Sequence, residues 1–244
     1  MAKRTYKSDV GAIPKIVDNF KPKTLNQRVF HDIISDDDTQ LVLCHGIAGT
    51  GKTYVSIYKA LQDVLRRGTP YDKLIIINPT VDVGNEDKLG FLPGELSAKI
   101  QQYNESTFTI LDKIIGKARA GKMIADNKIE IGVLNFLRGT NLENCYVILD
   151  EAQNTTPEQM KMFLTRLGFG SKMVITGDVT QTDLPNGQRS GLGVIKDILE
   201  GVDDISFMEL TAEDVVRHRL IGDIVKAYGK YDATKSAPRT LRSN

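Results

Sequence analysis

The sequence predicts a single α/β domain built around a mainly parallel β-sheet with helices on both faces. Short runs rich in valine, isoleucine and leucine recur along the chain and alternate with stretches of helical spacing. Runs that are apolar throughout, rather than at every second position, are typical of strands buried on both faces. The 244-residue chain has no internal repeat and too little sequence for a second domain, so one core is expected.

The predicted elements follow one another along the chain as strands and helices. The strands are assigned to short apolar segments, namely "QLVLCHG", "KLIIINP", one or two pieces of "KIEIGVLNFL", "CYVILD", "KMVITGD" and "ISFMEL". The helices are assigned to longer amphipathic segments, namely "KTYVSIYKALQDVLRRG", residues 94–116, "TTPEQMKMFLTRLG", "GLGVIKDILEG" and "RLIGDIVKAYGKY". In the third helix we expect Thr156 to be the cap, Pro157 to occupy the first position and Gly168 to follow the end.

Two basic segments flank the predicted domain, which we place at residues 23–231. Residues 1–22 carry several lysines and no sustained apolar period, which predicts a loosely ordered N-terminal arm. Residues 232–244, "DATKSAPRTLRSN", are polar and interrupted by proline, which predicts a disordered basic tail. Both segments could contact an anionic polymer, although solvated termini are the simpler interpretation.

The composition is that of a soluble globular protein, with 41% hydrophobic and 26% charged residues. The net charge is +1, so any nucleic-acid surface must be local rather than a broad basic field. The sequence has no apolar signal segment and no run long enough to span a bilayer, which predicts a cytoplasmic protein without a membrane partner. Cys44 and Cys145 lie in apolar runs without metal-ligand spacing, which predicts buried reduced thiols.

A phosphate-binding loop is predicted between the first strand and the helix that follows it. Gly46, Gly51, Lys52 and Thr53 satisfy the pattern G-x-x-x-x-G-K-[ST] in "GIAGTGKT". The glycines let backbone N–H groups approach phosphate, and the helix N-terminus adds a positive dipole end. Lys52 is expected to reach the β- and γ-phosphates, and Thr53 to bind Mg²⁺. The expected nucleotide-binding residues of this segment are Gly46, Ile47, Ala48, Gly49, Thr50, Gly51, Lys52, Thr53 and Tyr54.

A chance glycine-rich turn is the alternative interpretation of this loop, and the strand and helix around it argue against that. The loop alone does not separate a kinase from a GTPase or a motor.

Acidic residues follow the buried strand "CYVILD". Asp150 ends this strand at the edge where open α/β sheets bind ligands, and we expect it to hold Mg²⁺ opposite Thr53. Glu151 is then placed to polarise an attacking water, which favours hydrolysis over transfer to an organic acceptor. In "VITGDVTQTDLP", Asp178 and Gln181 follow another strand, and Gln181 could sense the γ-phosphate or couple it to a polymer site. The alternatives are a solvated acidic turn and a polar turn, respectively.

These motifs together resemble the PhoH family of P-loop ATPases, which are related to superfamily 1 helicases. The similarity is close from "NFLRGTNLENCYVILDEAQNTTPEQMKMFLTRLGFGSKMVITGDVTQTDLP" through "DVVRH", and a fainter similarity extends back to "PKTLNQ". It covers roughly residues 22–231. The resemblance implies a RecA-like P-loop NTPase with a single core that uses ATP and Mg²⁺.

The resemblance also implies roles for residues outside the loop. Gln27, on an expected helix, resembles the glutamine that reads adenine in such ATPases, although a surface polar residue is the alternative. Arg217 in "DVVRH" resembles the arginine that completes the γ-phosphate site, and pairing with Asp214 is the alternative. Arg138 in "FLRG" matches a family position to which chemistry assigns no role. Asn78 stands where family members usually have arginine, so a nucleic-acid contact there is expected to be weaker or differently placed.

The predicted function is hydrolysis of ATP coupled in a helicase-like manner to single-stranded nucleic acid, with RNA favoured over DNA. The expected catalytic residues are Lys52, Glu151, Gln181 and Arg217. The alternatives are a nucleotide-gated scaffold with slow hydrolysis and a phosphotransferase. Helicases of superfamily 1 place ATP between two such cores, whereas this sequence predicts one. A neighbouring subunit would therefore have to cover the phosphates, and we expect a homo-oligomeric ring, with a hexamer favoured over other sizes.

Overall fold

Six parallel strands form the central sheet of the computed structural model, which describes residues 16, 19–79, 104–137, 139–185, 187–216, 224, 227 and 228. The strands are β1 Leu41–Gly46, β2 Lys73–Asn78, β3 Ile129–Val133, β4 Cys145–Leu149, β5 Lys172–Gly177 and β6 Ile205–Leu210. Their order across the sheet is β3-β2-β4-β5-β1-β6, and every pairing is parallel. The predicted α/β class with a parallel sheet is confirmed.

Six helices with described bounds pack around this sheet, and the isolated described residues Ile224, Ala227 and Tyr228, in the predicted closing helix, are also helical. The six helices are α1 Leu25–Ser35, α2 Lys52–Leu65, α3 Glu105–Ile115, α4 Lys117–Ala125, α5 Pro157–Leu164 and α6 Gly191–Leu199. Short 3₁₀ turns lie at Leu134–Leu137, Ala152–Asn154 and Ala212–Asp214.

The sheet has an apolar core on each face. Val42 and Cys44 of β1 point toward α1 to α4, whereas Leu41 and Leu43 of the same strand point toward α5 and α6. All four side chains are buried, which explains why the strand segments are apolar at consecutive positions. Because all strands run in one direction, their C-terminal ends meet at one edge, and the loops after β1, β4 and β5 come together there.

Two predicted elements differ from the structure. The helix predicted for residues 94–116 is described only from residue 104, and its last turn ends at Ile115. Gly116, with φ of 83°, breaks the helix, and α4 follows as a separate helix that was not predicted. In "KIEIGVLNFL" the strand ends at Val133, and the remaining residues form a 3₁₀ turn instead of a second strand piece.

The structure tests the predictions for the third helix and the thiols, but not those for the two terminal segments. Thr156 caps α5 as expected, with Pro157 in the first turn, although the helix ends before Gly168. Cys44 and Cys145 are buried free thiols, and burial raises the pKa of Cys145 to about 11. Residues 1–15 and 232–244 lie outside the described residues, as does most of the predicted closing helix. Among the helices that are described, none is both long and apolar enough to cross a membrane.

Candidate nucleotide site

The loop between β1 and α2 places a helix N-terminus at the C-terminal edge of the sheet. Gly49 and Gly51 both have a φ of 88°, a left-handed conformation that glycine adopts without strain. The first backbone N–H groups of α2 have no acceptor within the helix, and together with the helix dipole they suit an anion. Gly46 serves packing as well, because a Cβ at this position would overlap the carbonyl oxygen of Leu210 on β6.

Lys52 lies inside this loop. Its Nζ donates hydrogen bonds to the carbonyl oxygens of Gly46, at 2.6 Å, and Ile47, at 3.0 Å. The residue is 8% exposed, and burial lowers the pKa of its ammonium group, although nearby carboxylates including Asp178 and Asp150 oppose that shift. Among the described residues, the hydrogen-bond acceptors of this buried cation are neutral carbonyl oxygens, and an anionic ligand would stabilise it further.

Asp150 follows β4 and faces the loop across β5. Its Oδ1 accepts hydrogen bonds from the hydroxyl groups of Thr53, at 2.9 Å, and Thr176, at 2.6 Å. Asp150 is 5% exposed, and burial raises the pKa of its carboxyl group while the two hydroxyl donors act in the opposite direction. Thr53 and Asp150 present the hard oxygen ligands that Mg²⁺ prefers.

The metal would need further ligands besides these two. Within the part of the chain that is described, no group of three His, Cys, Asp or Glu side chains is placed to hold a metal ion. Mg²⁺ at a nucleotide site is typically held by one or two protein ligands together with phosphate oxygens and water. The hydroxyl of Thr53 and the carboxylate of Asp150 fit that role.

Glu151 lies at a sharp turn directly after Asp150. Its φ of 52° and ψ of 35° are left-handed, an uncommon conformation for a side chain of this size. Its Oε2 accepts a hydrogen bond from Gln153 Nε2 at 2.6 Å. The residue reaches solvent, but its carboxyl group lies among buried groups, and burial followed by the charge of Asp150 raises its pKa. This carboxylate is therefore available to a solvent molecule at the sheet edge.

Asp178, at the end of β5, connects this edge to the loop. Its Oδ2 accepts hydrogen bonds from the backbone N–H of Ala48, at 3.1 Å, and from Gln181 Nε2, at 2.7 Å. Its Oδ1 accepts the backbone N–H and the hydroxyl group of Thr180, at 3.0 and 2.6 Å. Gln181 is thus held beside the loop, and its role as a γ-phosphate sensor stays a prediction.

Gln27 lies beside the loop on α1. Its Nε2 donates to the carbonyl oxygen of Thr50 at 2.8 Å, and its Oε1 accepts the backbone N–H of Lys23 at 2.8 Å. Gln27 also lines a cleft of about 600 Å³ on the outer side of the loop. The other residues of the cleft are Asn19, Phe20, Lys21, Pro22, Lys23, Gly49, Gly51, Tyr54, Lys113 and Val216. Tyr54 lies on the wall of this cleft, and the adenine-reading role of Gln27 stays a prediction.

The segment after β6 also contacts the loop. The backbone N–H of Val216 donates to the carbonyl oxygen of Gly49 at 3.2 Å. Asp214 is 2% exposed and accepts the Thr24 hydroxyl at 2.5 Å and Asn26 Nδ2 at 2.9 Å, which ties this segment to the start of α1. Arg217, which follows Val216, lies outside the described residues, as does Arg138.

The sequence comparisons agree with these motifs. The family model for PhoH-like proteins matches residues 19–229. The PhoH-like protein of Mycobacterium tuberculosis (strain H37Rv) is 49% identical over 212 residues, which are 87% of this chain and 58% of that protein. The chain belongs to the PhoH family. A PhoH-like protein of Bacillus subtilis (strain 168) is 48% identical over 87% of this chain and 65% of its own length. Protein PhoH of Escherichia coli (strain K12) is 35% identical over 83% of this chain and 57% of its own length.

This PhoH-family chain therefore spans between 57% and 65% of the length of these three relatives. The solved structures that are similar to it include Pif1 helicases. One is Pif1 helicase from Bacteroides in complex with ADP-AlF3 and ssDNA, with 18% identity, a TM-score of 0.37 and coverage of 77% of this chain and 42% of that one. Another is Pif1 helicase from Candida albicans, with 14% identity, a TM-score of 0.37 and coverage of 77% of this chain and 39% of that one.

The described part of this PhoH-family chain has one six-stranded parallel sheet, with the glycine-rich loop after β1. β5 lies between β1, which carries the loop, and β4, which carries Asp150. Thr176 of β5 therefore reaches Asp150 from the side, a contact that sequence reasoning missed because it depends on strand order rather than on spacing. The Gln153 contact with Glu151 was missed as well, although the glutamine stands only two positions further along "DEAQN".

Asn78 is the residue for which the family resemblance predicts an arginine instead. It ends β2, is 7% exposed, and donates from Nδ2 to Asn104 Oδ1 at 2.6 Å. The adjoining backbone pairs with the Asp150 turn, because the N–H of Asp150 donates to Ile77. The side chain is thus directed into the protein, where it connects β2 to the start of α3.

Proposed function

We propose that this chain binds ATP with Mg²⁺, hydrolyses it, and couples the reaction to binding of single-stranded nucleic acid, with RNA favoured. The observation that carries the proposal is the meeting of Lys52, the Thr53–Asp150 pair and Glu151 at one sheet edge. These groups supply the cation, the metal ligands and the base that a phosphoanhydride hydrolase needs.

Each residue of the site has a separate role in the proposed hydrolysis. Lys52 would exchange its two carbonyl acceptors for phosphate oxygens and stabilise the negative charge that develops on them. Thr53 and Asp150 would hold Mg²⁺, which neutralises phosphate charge when it is bound. Glu151 would accept the proton of the attacking water, since its carboxylate is at the edge and reaches solvent. Gln181 and Arg217 would contact the γ-phosphate.

Hydrolysis is favoured over transfer to a small acceptor because Glu151 stands beside the metal ligand. A nucleotide-gated scaffold is distinguished from a polymer-coupled ATPase by whether nucleic acid changes the turnover rate. The first experiment measures ATP hydrolysis with and without ssRNA, ssDNA and duplex, and binding of each polymer over a range of salt concentrations. Stimulation by a single strand supports the proposal, whereas turnover that no polymer changes contradicts the coupling.

The test of the catalytic assignment is Glu151→Gln, with Glu158→Gln as the matched control. Glu158 is an exposed carboxylate in the first turn of α5. We expect Glu151→Gln to bind ATP and Mg²⁺ normally but to hydrolyse about 10²-fold more slowly, the loss typical of removing a general base. The control should keep the wild-type rate. Normal hydrolysis by Glu151→Gln would mean that another residue orients the water.

We also propose a hexameric ring in which Arg217 of one subunit reaches the γ-phosphate held by its neighbour. Arginines in this role contribute about 10³- to 10⁵-fold in rate. Arg217→Ala and Lys52→Ala subunits should each be inactive alone. Mixed rings should regain part of the activity, because some interfaces combine an intact loop with an intact arginine. Mixed rings that are confirmed by mass and remain inactive would exclude action between subunits.

A further inference from the structure

We propose that Gln153 is a positioning residue that fixes the carboxylate of Glu151 relative to the phosphate-binding loop. The proposal rests on the proposed function, because Glu151 must be the base for its position to matter. Gln153 is 3% exposed and uses both ends of its amide. Nε2 donates to Glu151 Oε2 at 2.6 Å, and Oε1 accepts the backbone N–H of Asp178 at 2.9 Å.

The two contacts determine which way the amide points. The Asp178 N–H is a donor and requires an oxygen, whereas the Glu151 carboxylate is an acceptor and requires an N–H group. Reversing the amide would place oxygen against carboxylate and NH₂ against N–H, so both contacts would be lost. Gln153 therefore presents a donor to Glu151 in a single orientation.

A glycine lies directly against this side chain. Gly177 precedes Asp178, and a Cβ there would lie 2.6 Å from Gln153 Oε1 and 3.1 Å from the Gln153 backbone nitrogen. The same Cβ would lie 2.5 Å from Leu192 Cδ2. The glycine thus makes room for the amide between the end of β5 and the turn after β4.

Gln153 connects Glu151 to the loop through one intermediate residue. Asp178, whose N–H holds Gln153, also accepts the backbone N–H of Ala48 in the loop at 3.1 Å. Glu151 itself reaches solvent and lies on a left-handed turn, so without this contact its side chain could adopt other rotamers. Misplacing a catalytic group by about 1 Å can cost about 10²-fold in rate, so the connection matters for turnover and not for binding.

The neighbouring residue Asn154 offers a matched control. It is also a buried amide, 8% exposed, and it also connects the turn after β4 to the segment after β5. Its Oδ1 accepts the backbone N–H of Asp183 at 2.9 Å, and its Nδ2 donates to Asp183 Oδ2 at 3.4 Å. Neither contact involves Glu151. Asn154→Ala therefore removes a similar amount of packing without removing the donor to the carboxylate.

The experiment compares ATP turnover, nucleotide affinity and thermal unfolding of Gln153→Ala, Gln153→Glu and Asn154→Ala. We expect kcat of Gln153→Ala to fall about 10- to 100-fold with nucleotide affinity unchanged. Gln153→Glu keeps an acceptor for Asp178 but presents a like charge to Glu151, so its kcat should fall at least as far. Asn154→Ala should lose much less. An equal loss in Asn154→Ala, or a normal kcat in Gln153→Ala, overturns the proposal.

A double variant separates action through Glu151 from a general effect. If Gln153 acts only by positioning Glu151, Gln153→Ala should add little to the loss already caused by Glu151→Gln. Losses that multiply would overturn the proposal. The single variants also show which idea has failed. If Glu151→Gln hydrolyses ATP normally, the proposed function fails and the role of Gln153 fails with it. If Glu151→Gln is slow and Gln153→Ala is normal, the role of Gln153 alone fails.

Discussion

The hydroxyl group of Thr53 lies 2.9 Å from Oδ1 of Asp150, which joins the first turn of α2 to the end of β4. The two residues are 97 positions apart in the sequence, and the parallel sheet brings them together because β1 and β4 end at the same edge. Thr176, from the strand between them, donates to the same oxygen. The other carboxylate oxygen, Oδ2, is not used by either hydroxyl.

The first prediction concerns the metal requirement. Thr53→Ala removes a hydroxyl ligand, so the Mg²⁺ concentration for half-maximal ATP hydrolysis should rise by about 10-fold, the size expected from losing about 1.4 kcal/mol of binding. Thr53→Ser keeps the hydroxyl and should stay near the wild-type value. A titration of activity against Mg²⁺ measures both variants, and an unchanged requirement in Thr53→Ala would rule out Thr53 as a ligand.

The second prediction concerns Lys52. Lys52→Ala should weaken Mg-ATP binding by about 10- to 100-fold, the loss expected for hydrogen bonds made by a charged donor. The free energy of unfolding should not fall, since alanine favours the helix and the variant no longer buries a charge that has only carbonyl partners. Calorimetric titration and urea denaturation test the two statements separately. Wild-type affinity would contradict the phosphate-binding role.

The third prediction concerns Lys59, a second buried lysine of α2. Its replacement should lower the free energy of unfolding and leave ATP affinity unchanged. Lys59 Nζ lies 2.6 Å from Asp63 Oδ1, and the two residues are 9% and 4% exposed. Lys59→Met would leave a buried carboxylate without its closest partner and should lower the free energy of unfolding by about 2 kcal/mol or more. ATP affinity below the unfolding transition should be unchanged, because Lys59 lies about two turns from the loop. Urea denaturation measures the loss, and a change below about 0.5 kcal/mol would show that the pair does not matter.

The fourth prediction concerns acid stability. Burial raises the pKa of Asp214, but hydrogen bonds from Thr24, Asn26 and Thr211 outweigh it, so the folded-state pKa is below the ordinary 3.8. A lowered pKa adds stability that is present above pH 3.8 and is lost as the pH falls through the folded-state value. Asp214→Asn lacks this contribution, so wild type should exceed the variant most near pH 7, and the difference should shrink on acidification toward pH 3.

The measurement for Asp214 is urea denaturation of both proteins at several pH values. Asp37→Asn is the control, because Asp37 is an exposed carboxylate 3.7 Å from Arg66 and should contribute little at any pH. A difference for Asp214→Asn that grows as the pH falls would contradict the prediction.

The sequence predicted the strands and the loop well because each depends on neighbouring residues. The conformation of the loop follows from the glycines within "GIAGTGKT" itself. A fully apolar run that ends in Asp150 indicates a buried strand and the sheet edge where that strand ends. Contacts between segments could not be predicted in the same way. The bonds of Gln153 and Thr176 depend on which strands are adjacent, and Gln27 uses its amide on backbone groups of Thr50 and Lys23 that no spacing rule indicates.

Gly46 shows that a residue of the nucleotide motif can be required for a reason unrelated to nucleotide. Its lack of a side chain lets β1 lie against the carbonyl group of Leu210, so alanine there would disturb the pairing of β1 with β6. Lys52 is not required for strand pairing in this way, and its replacement by alanine is expected to leave the free energy of unfolding undiminished. In a homologous protein that does not bind nucleotide, we expect the lysine to vary while the first glycine is retained. Gly46 alone is therefore weak evidence of nucleotide binding, and Lys52 is the better indicator of activity when homologous sequences are compared.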